Sequence, residues 1–147
     1  MKIQIRHLML LARILIGGLF IYASAHKILN PADFAVSIRN YMILPLGWTN
    51  IVAITLPWIE LGAGILLLVG VLTRPSALLI TSMLLVFLLA MVNAYWMGLD
   101  IECGCFSSPG QSSGKIGPLY FLRDVSLFLT SAFILFFDKG DFSLARR

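Results

Sequence analysis

Charge is scarce in this sequence. Of 147 residues, 12% are Asp, Glu, Lys or Arg, where a soluble domain carries about 25%. A chain kept in water by an ionised surface is thereby excluded. Cysteine is scarcer still, at two residues, so a scaffold stapled by several disulfides is excluded as well. Repeats, low-complexity segments and lipidation signals are absent. The formal charge of +4 forms no basic stripe, because the Lys and Arg residues gather at the ends of apolar runs. That distribution excludes a nucleic-acid-binding face.

Apolar residues make up 59% of the chain, more than a soluble core explains. They fall into four long runs, residues 8–25, 51–72, 77–97 and 118–137. About 20 residues at roughly 1.5 Å each cross a hydrocarbon layer of about 30 Å. The predicted fold is therefore an all-α membrane protein: a single integral domain over 1–147, built as a four-transmembrane-helix bundle in the lipid bilayer. Residues 30–50 are too polar to span, yet Phe34, Ile38, Tyr41 and Met42 recur at helical spacing between Pro31 and Pro45. They predict a short interfacial helix between helices 1 and 2, with an irregular loop as the alternative.

Orientation follows from the basic residues. With the N-terminus inside, the inner segments carry Lys2, Arg6, Arg74, Lys139, Arg146 and Arg147, and the outer ones Lys27, Arg39 and Lys115. The bias predicts a multi-pass protein of a bacterial inner membrane, with both termini cytoplasmic and the loop 98–117 periplasmic. A signal peptide cleaved after Ala23-Ser24-Ala25 is the competing reading of the first run. Arg13, in the middle of that run, argues against it.

The loop 98–117 holds Cys103-Gly104-Cys105. Two cysteines one residue apart can close a very small ring. Departure from the preferred disulfide torsion stores strain and makes such a bond easy to reduce, and Gly104 gives the backbone room to bend. The polar stretch from Ser107 to Gly114 offers a partner access. Asp100 and Glu102 disfavour a thiolate at Cys103, which leaves Cys105 as the candidate attacking sulfur. The competing readings are a soft-metal site such as Cu(I), for which His26 is the only other donor on that face, and a strained disulfide without turnover. No metal is assigned.

Arg13, Glu60, Arg123 and Asp124 interrupt the apolar runs, at a cost of about 2.5–3.5 kcal/mol each on insertion scales. Thr55 and Pro57 suggest the true first turn of the second span, which puts Glu60 in its outer third. With Asn93, His26 and Lys27, the groups Glu60, Arg123 and Asp124 are predicted to converge beneath the cysteine loop. The expected pairing is Glu60 with Arg123, leaving Asp124 for Lys27 or His26. Arg13 is expected to reach a backbone carbonyl or to snorkel inward. A purely structural network that fixes helix register is the alternative. Gly17, Gly18, Gly62, Gly64 and Gly70 are expected to allow close helix approach. Tyr22, Trp48, Trp58, Tyr95, Trp96 and Tyr120 read as an aromatic belt, with a pocket for a flat ring as the alternative.

Gly17-Gly18 followed by His26-Lys27, Glu60 with its glycine-rich continuation to Thr73-Arg74, then Glu102-Cys103-Gly104-Cys105-Phe106 and Arg123-Asp124 form a pattern that resembles the MauE/DoxX family of redox-associated membrane proteins. The cysteine pair points to the MauE-like branch. The resemblance implies thiol–disulfide exchange by Cys103 and Cys105 with an extracytoplasmic thioredoxin-like partner, in support of disulfide-containing proteins such as methylamine dehydrogenase. DoxX-type relatives add a link to quinone, the one cofactor so implied. The alternative is a non-catalytic membrane subunit that anchors or assembles a redox enzyme, so whether the chain is itself an enzyme stays open. A small transporter ranks last, since Arg13 is the only charge in the inner half of the spans.

Overall fold

The computed structural model describes residues 2–99 and 118–137. Every regular element among these residues is a helix: α1 (Lys2–Leu29), α2 (Pro31–Asn40), α3 (Leu46–Val69), α4 (Thr73–Trp96) and α5 (Pro118–Phe137). Cys103 and Cys105, with the rest of residues 100–117, lie outside the described residues.

α1 extends past its apolar run at both ends, α3 and α4 begin before theirs and end short of them, and α5 coincides with its run; flanking residues continue a helix once its hydrogen-bond ladder is established. α3 shows the largest difference. Pro57 does not begin this helix but lies inside it, and the start is at Leu46, with Pro45 as N-cap. Pro57 cannot donate to the carbonyl four residues back, yet the helix runs through. Glu60 consequently sits just past the middle of α3 rather than in its first third.

Among the described residues, three helices are long and apolar enough to cross a membrane: His7–Leu29, Leu46–Val69 and Thr73–Trp96. α5 is not among them. It is the shortest of the four long helices, and Arg123 and Asp124 stand side by side in its first half.

The four long helices pack as a ring in the order α1, α3, α4, α5, with α5 closing back on α1 and no backbone contact across either diagonal. Neighbours are antiparallel. Along α1 and α3, Arg13 meets Leu67, Gly17 meets Gly64 and Lys27 meets Glu60. A three-residue turn, Gly70 to Leu72, reverses the chain into α4. It uses two left-handed residues, Gly70 at φ 83° and Leu72 at φ 55°; glycine takes that conformation freely, whereas leucine does so at a cost of about 1–2 kcal/mol. Between α4 and α5, the Thr81 hydroxyl lies 3.0 Å from the Ser131 hydroxyl.

Ile16, Phe20, Ala63, Leu67, Ile80, Leu84 and Ile134 form the bundle interior. Most of the large apolar side chains outside it, from Leu8 on α1 to Phe136 on α5, are exposed, as lipid-facing residues must be. Of the five glycines expected to bring helices together, two do so. A Cβ on Gly17 would stand 3.0 Å from the Gly64 carbonyl oxygen, and one on Gly64 would stand 3.1 Å from that of Gly17. Gly18 and Gly62 face open space, and Gly70 serves the turn.

The short helix expected between the first two spans is α2, with Pro31 in its first turn. Phe34 and Tyr41 are buried and Ile38 is packed against Phe34, Ala35 and Ala53, as the periodicity required. Met42 departs from the stripe. It takes a left-handed conformation at φ 51° just past the helix end, and its side chain is exposed.

Candidate functional site

The C-terminal half of α1, the middle of α3, the middle of α4 and the first half of α5 surround a cavity of about 390 Å³ that α2 partly covers. Because the helices alternate in direction, α4 ends and α5 begins at the same end of the bundle.

Three of the six polar residues predicted to converge line this cavity: Lys27 from α1, Glu60 from α3 and Asp124 from α5. All three are buried. The Lys27 ammonium donates to both carboxylate oxygens of Glu60, at 2.9 Å to Oε1 and 2.8 Å to Oε2. It also lies 4.8 Å from the centre of the Phe34 ring, so α2 supplies a cation–π contact to the same charge.

The pairing differs from the one expected, because Glu60 bonds Lys27 and not Arg123. The sequence places Glu60 and Arg123 at similar depth but says nothing of rotation about each helix axis. The flexible stem of Lys27, near the end of α1, reaches back to the middle of α3. Arg123 instead turns onto its own neighbour, with Nε donating to Oδ1 of Asp124 at 3.2 Å. Its side chain is partly exposed while that of Asp124 is buried.

Asn93 and His26 do not join the cluster. Asn93 is exposed and points its amide at the Met97 sulfur, 3.9 Å away. His26 is partly exposed and contributes its backbone carbonyl, which accepts from the backbone N–H and the side-chain amide of Asn30. Among the described residues, no group of three or more His, Cys, Asp or Glu is placed to hold a metal ion.

Arg13 takes the first of its two expected roles. Nε and Nη2 donate to the Leu67 carbonyl at 3.2 and 3.1 Å. Leu67 lies in the last turn of α3, where carbonyls have no partner within the helix, and a cation there also meets the negative end of the helix dipole. Gly70 N–H closes the Leu66 carbonyl beside it.

The aromatic walls were not legible in advance. Phe20, Phe34, Tyr41 and Phe87 line the cavity, and Tyr41 meets Phe87 edge to face with ring centroids 5.9 Å apart. The belt aromatics Tyr22, Trp48, Trp58, Tyr95 and Trp96 are all exposed and line none of it. The buried stripe of α2 was the one signal available, since Phe34 and Tyr41 had to face something.

A helical bundle with lipid-facing apolar flanks, several spans and a buried ion pair beside an apolar cavity defines a multi-pass membrane protein. The profile of the family described as methylamine utilisation protein MauE matches residues 5–137, and the chain belongs to that family. It is similar to the methylamine utilization protein MauE of Paracoccus denitrificans, with 34% identity over 64% of this chain and 51% of the relative. It is likewise similar to the protein of that name from Methylophilus methylotrophus, with 33% identity over 71% of this chain and 55% of the relative. The chain thus spans about half the length of the curated relatives it matches. No solved structure matches it.

Proposed function

We propose that this chain is a membrane thiol–disulfide redox protein of methylamine utilisation, in which Cys103 and Cys105 exchange a disulfide with an extracytoplasmic thioredoxin-like partner. The observation that carries the reading is the place of Cys103-Gly104-Cys105 in the chain. The pair lies in the sequence between α4 and α5, two of the helices that line the cavity of Lys27, Glu60 and Asp124.

In this reading α5 is a fourth span, both termini are cytoplasmic and the cysteine segment is periplasmic. An inner-membrane position agrees with the distribution of basic residues. An oxidising compartment lets the pair persist as a disulfide.

In the direction that supplies disulfides, a thiolate of the reduced partner attacks one sulfur of the Cys103–Cys105 bond. That bond breaks, a mixed disulfide forms and the other cysteine leaves as a thiolate. The partner's second thiol then resolves the mixed disulfide, so two electrons and two protons have passed to the pair. A quinone restores the disulfide by taking both and becoming a quinol. The opposite direction runs the same bonds backward.

The test uses the full chain. With the oxidised partner supplied, Cys103→Ser leaves a lone Cys105 thiolate that attacks the partner's disulfide while the partner's other sulfur leaves as a thiolate. The mixed disulfide is expected as a heavier band that reductant removes, whereas Cys105→Ser yields none. A double serine variant that still supports methylamine utilisation sinks the reading. That outcome favours the second one, a non-catalytic subunit that anchors or assembles a redox complex. The buried Lys27–Glu60 pair and the Arg13 cap speak for it, since both fix helix register without needing a thiol.

A further inference from the structure

We propose that the cavity between α2 and α4 is a binding site for a neutral, membrane-soluble ring compound with an apolar tail, the chemistry of an isoprenoid quinone, admitted sideways from the bilayer. The identity of the ring rests on the redox reading above; the site itself rests on geometry.

The opening lies between α4 and the connector that follows α2, and the backbones of α2 and α4 nowhere come into contact. The lining residues that are themselves exposed mark its mouth: Ile43 and Leu44 on one side, Ser82 and Val86 on the other. Three of these four are aliphatic, so the mouth suits a ligand that arrives through hydrocarbon. Inside, the surface is carbon almost throughout, and Phe34, Tyr41 and Phe87 offer ring faces and edges on which a flat ring stacks. A volume of about 390 Å³ falls in the range of small-molecule sites, about 300–1,000 Å³. It holds one ring and the start of a tail, and the remainder of the tail lies out through the mouth.

The charges select against ions. Lys27 neutralises Glu60 and Arg123 neutralises Asp124, so the floor carries no net charge. A ligand bringing its own charge would leave it uncompensated in a medium of low dielectric. A neutral ring oxygen needs only hydrogen bonds. A carboxylate has about four acceptor positions, so Glu60 and Asp124 can each accept from a hydroxyl of the quinol while keeping their cationic partners, whereas the quinone, whose carbonyls only accept, is held by the apolar walls and ring contacts. That favours a quinone and quinol over a phospholipid, whose phosphate would be the unpaired ion.

The experiment reconstitutes the full-length protein in phosphatidylcholine nanodiscs and titrates decylubiquinone, a benzoquinone with a short tail, measuring bound quinone by extraction. The expected result is saturable binding of one molecule per chain. Val86→Trp at the mouth and Ala90→Phe in the wall should each weaken it about tenfold or more, equivalent to about 1.4 kcal/mol, without lowering the melting temperature of the quinone-free protein. Val86 is exposed, so its variant keeps the test valid if Ala90→Phe fails to fold. No saturable binding, equal binding by the Val86 variant, or a co-purified phospholipid that quinone does not displace would overturn the proposal. Cys103→Ser/Cys105→Ser should bind quinone normally. Loss of partner exchange with quinone binding intact defeats only the thiol reading; loss of quinone binding with exchange intact defeats only this site.

Discussion

The ammonium of Lys27 sits between the two carboxylate oxygens of Glu60, 2.9 and 2.8 Å away, with both side chains buried. α1 and α3 are thus joined by a bidentate ion pair at the edge of an apolar cavity. Two charges withdrawn from water together lose most of the penalty that each would suffer alone, but little net stability remains once desolvation is counted. The arrangement explains how a chain so short of charge tolerates ions inside its bundle.

Removing one partner strands the other. Lys27→Met or Glu60→Gln is expected to destabilise the protein by about 3–5 kcal/mol, whereas Lys27→Met/Glu60→Met together should recover most of the loss. Thermal unfolding of the purified variants in one detergent checks this as a double-mutant cycle. Additive losses in the double variant would mean that the pair is not coupled.

The crossing of α1 and α3 gives a second prediction. A methyl group on Gly17 meets a backbone oxygen at 3.0 Å, and a backbone cannot move aside as a side chain can. Gly17→Ala and Gly64→Ala should each cost about 1–3 kcal/mol, the usual range for overpacking. Gly18→Ala and Gly62→Ala, which place the methyl group in open space, should leave the melting temperature unchanged or raised. Equal effects at all four positions would show that helix propensity and not contact governs them.

Arg13 provides a third. Its guanidinium holds the Leu67 carbonyl through two nitrogens, a geometry that lysine cannot copy. Arg13→Met should leave a buried carbonyl unsatisfied at about 1–3 kcal/mol, and Arg13→Lys should restore only part of that. Parallel melting curves for the three proteins decide it.

The fold was legible where one residue type recurs at a fixed interval. The apolar runs located the long helices, and Pro31, Pro45 and the Phe34–Tyr41 stripe located α2. Proline was ambiguous: Pro45 reads as the far bracket of the short helix and Pro57 as the first turn of the next span, yet α3 starts directly after Pro45 and passes through Pro57. Half of the predicted polar cluster was legible, and its pairing was not. Lys27, Glu60 and Asp124 stood out as costly in an apolar setting, yet which faces which depends on helix rotation, a quantity that the composition of a run does not hold. Phe20 and Phe87, ordinary apolar residues in apolar helices, carried no signal that they would wall a cavity.

The chemistry of the cysteine pair yields the last prediction. A disulfide between Cys103 and Cys105 would close a loop over one intervening residue, and the chain-entropy gain from such a short loop is the smallest available. Structural disulfides of secreted proteins have potentials below about −300 mV, while strained or exposed ones lie higher. The Cys103–Cys105 couple should therefore equilibrate with glutathione or dithiothreitol buffers at a potential less negative than about −300 mV, read by alkylating the free thiols with a mass tag in the full-length protein. The same reagent, in a form that cannot cross membranes, should reach both thiols from the periplasmic side of intact cells after reduction. A value below −300 mV would class the bond as structural and remove the relay, and labelling confined to inverted vesicles would place the pair on the wrong side of the membrane for a periplasmic partner.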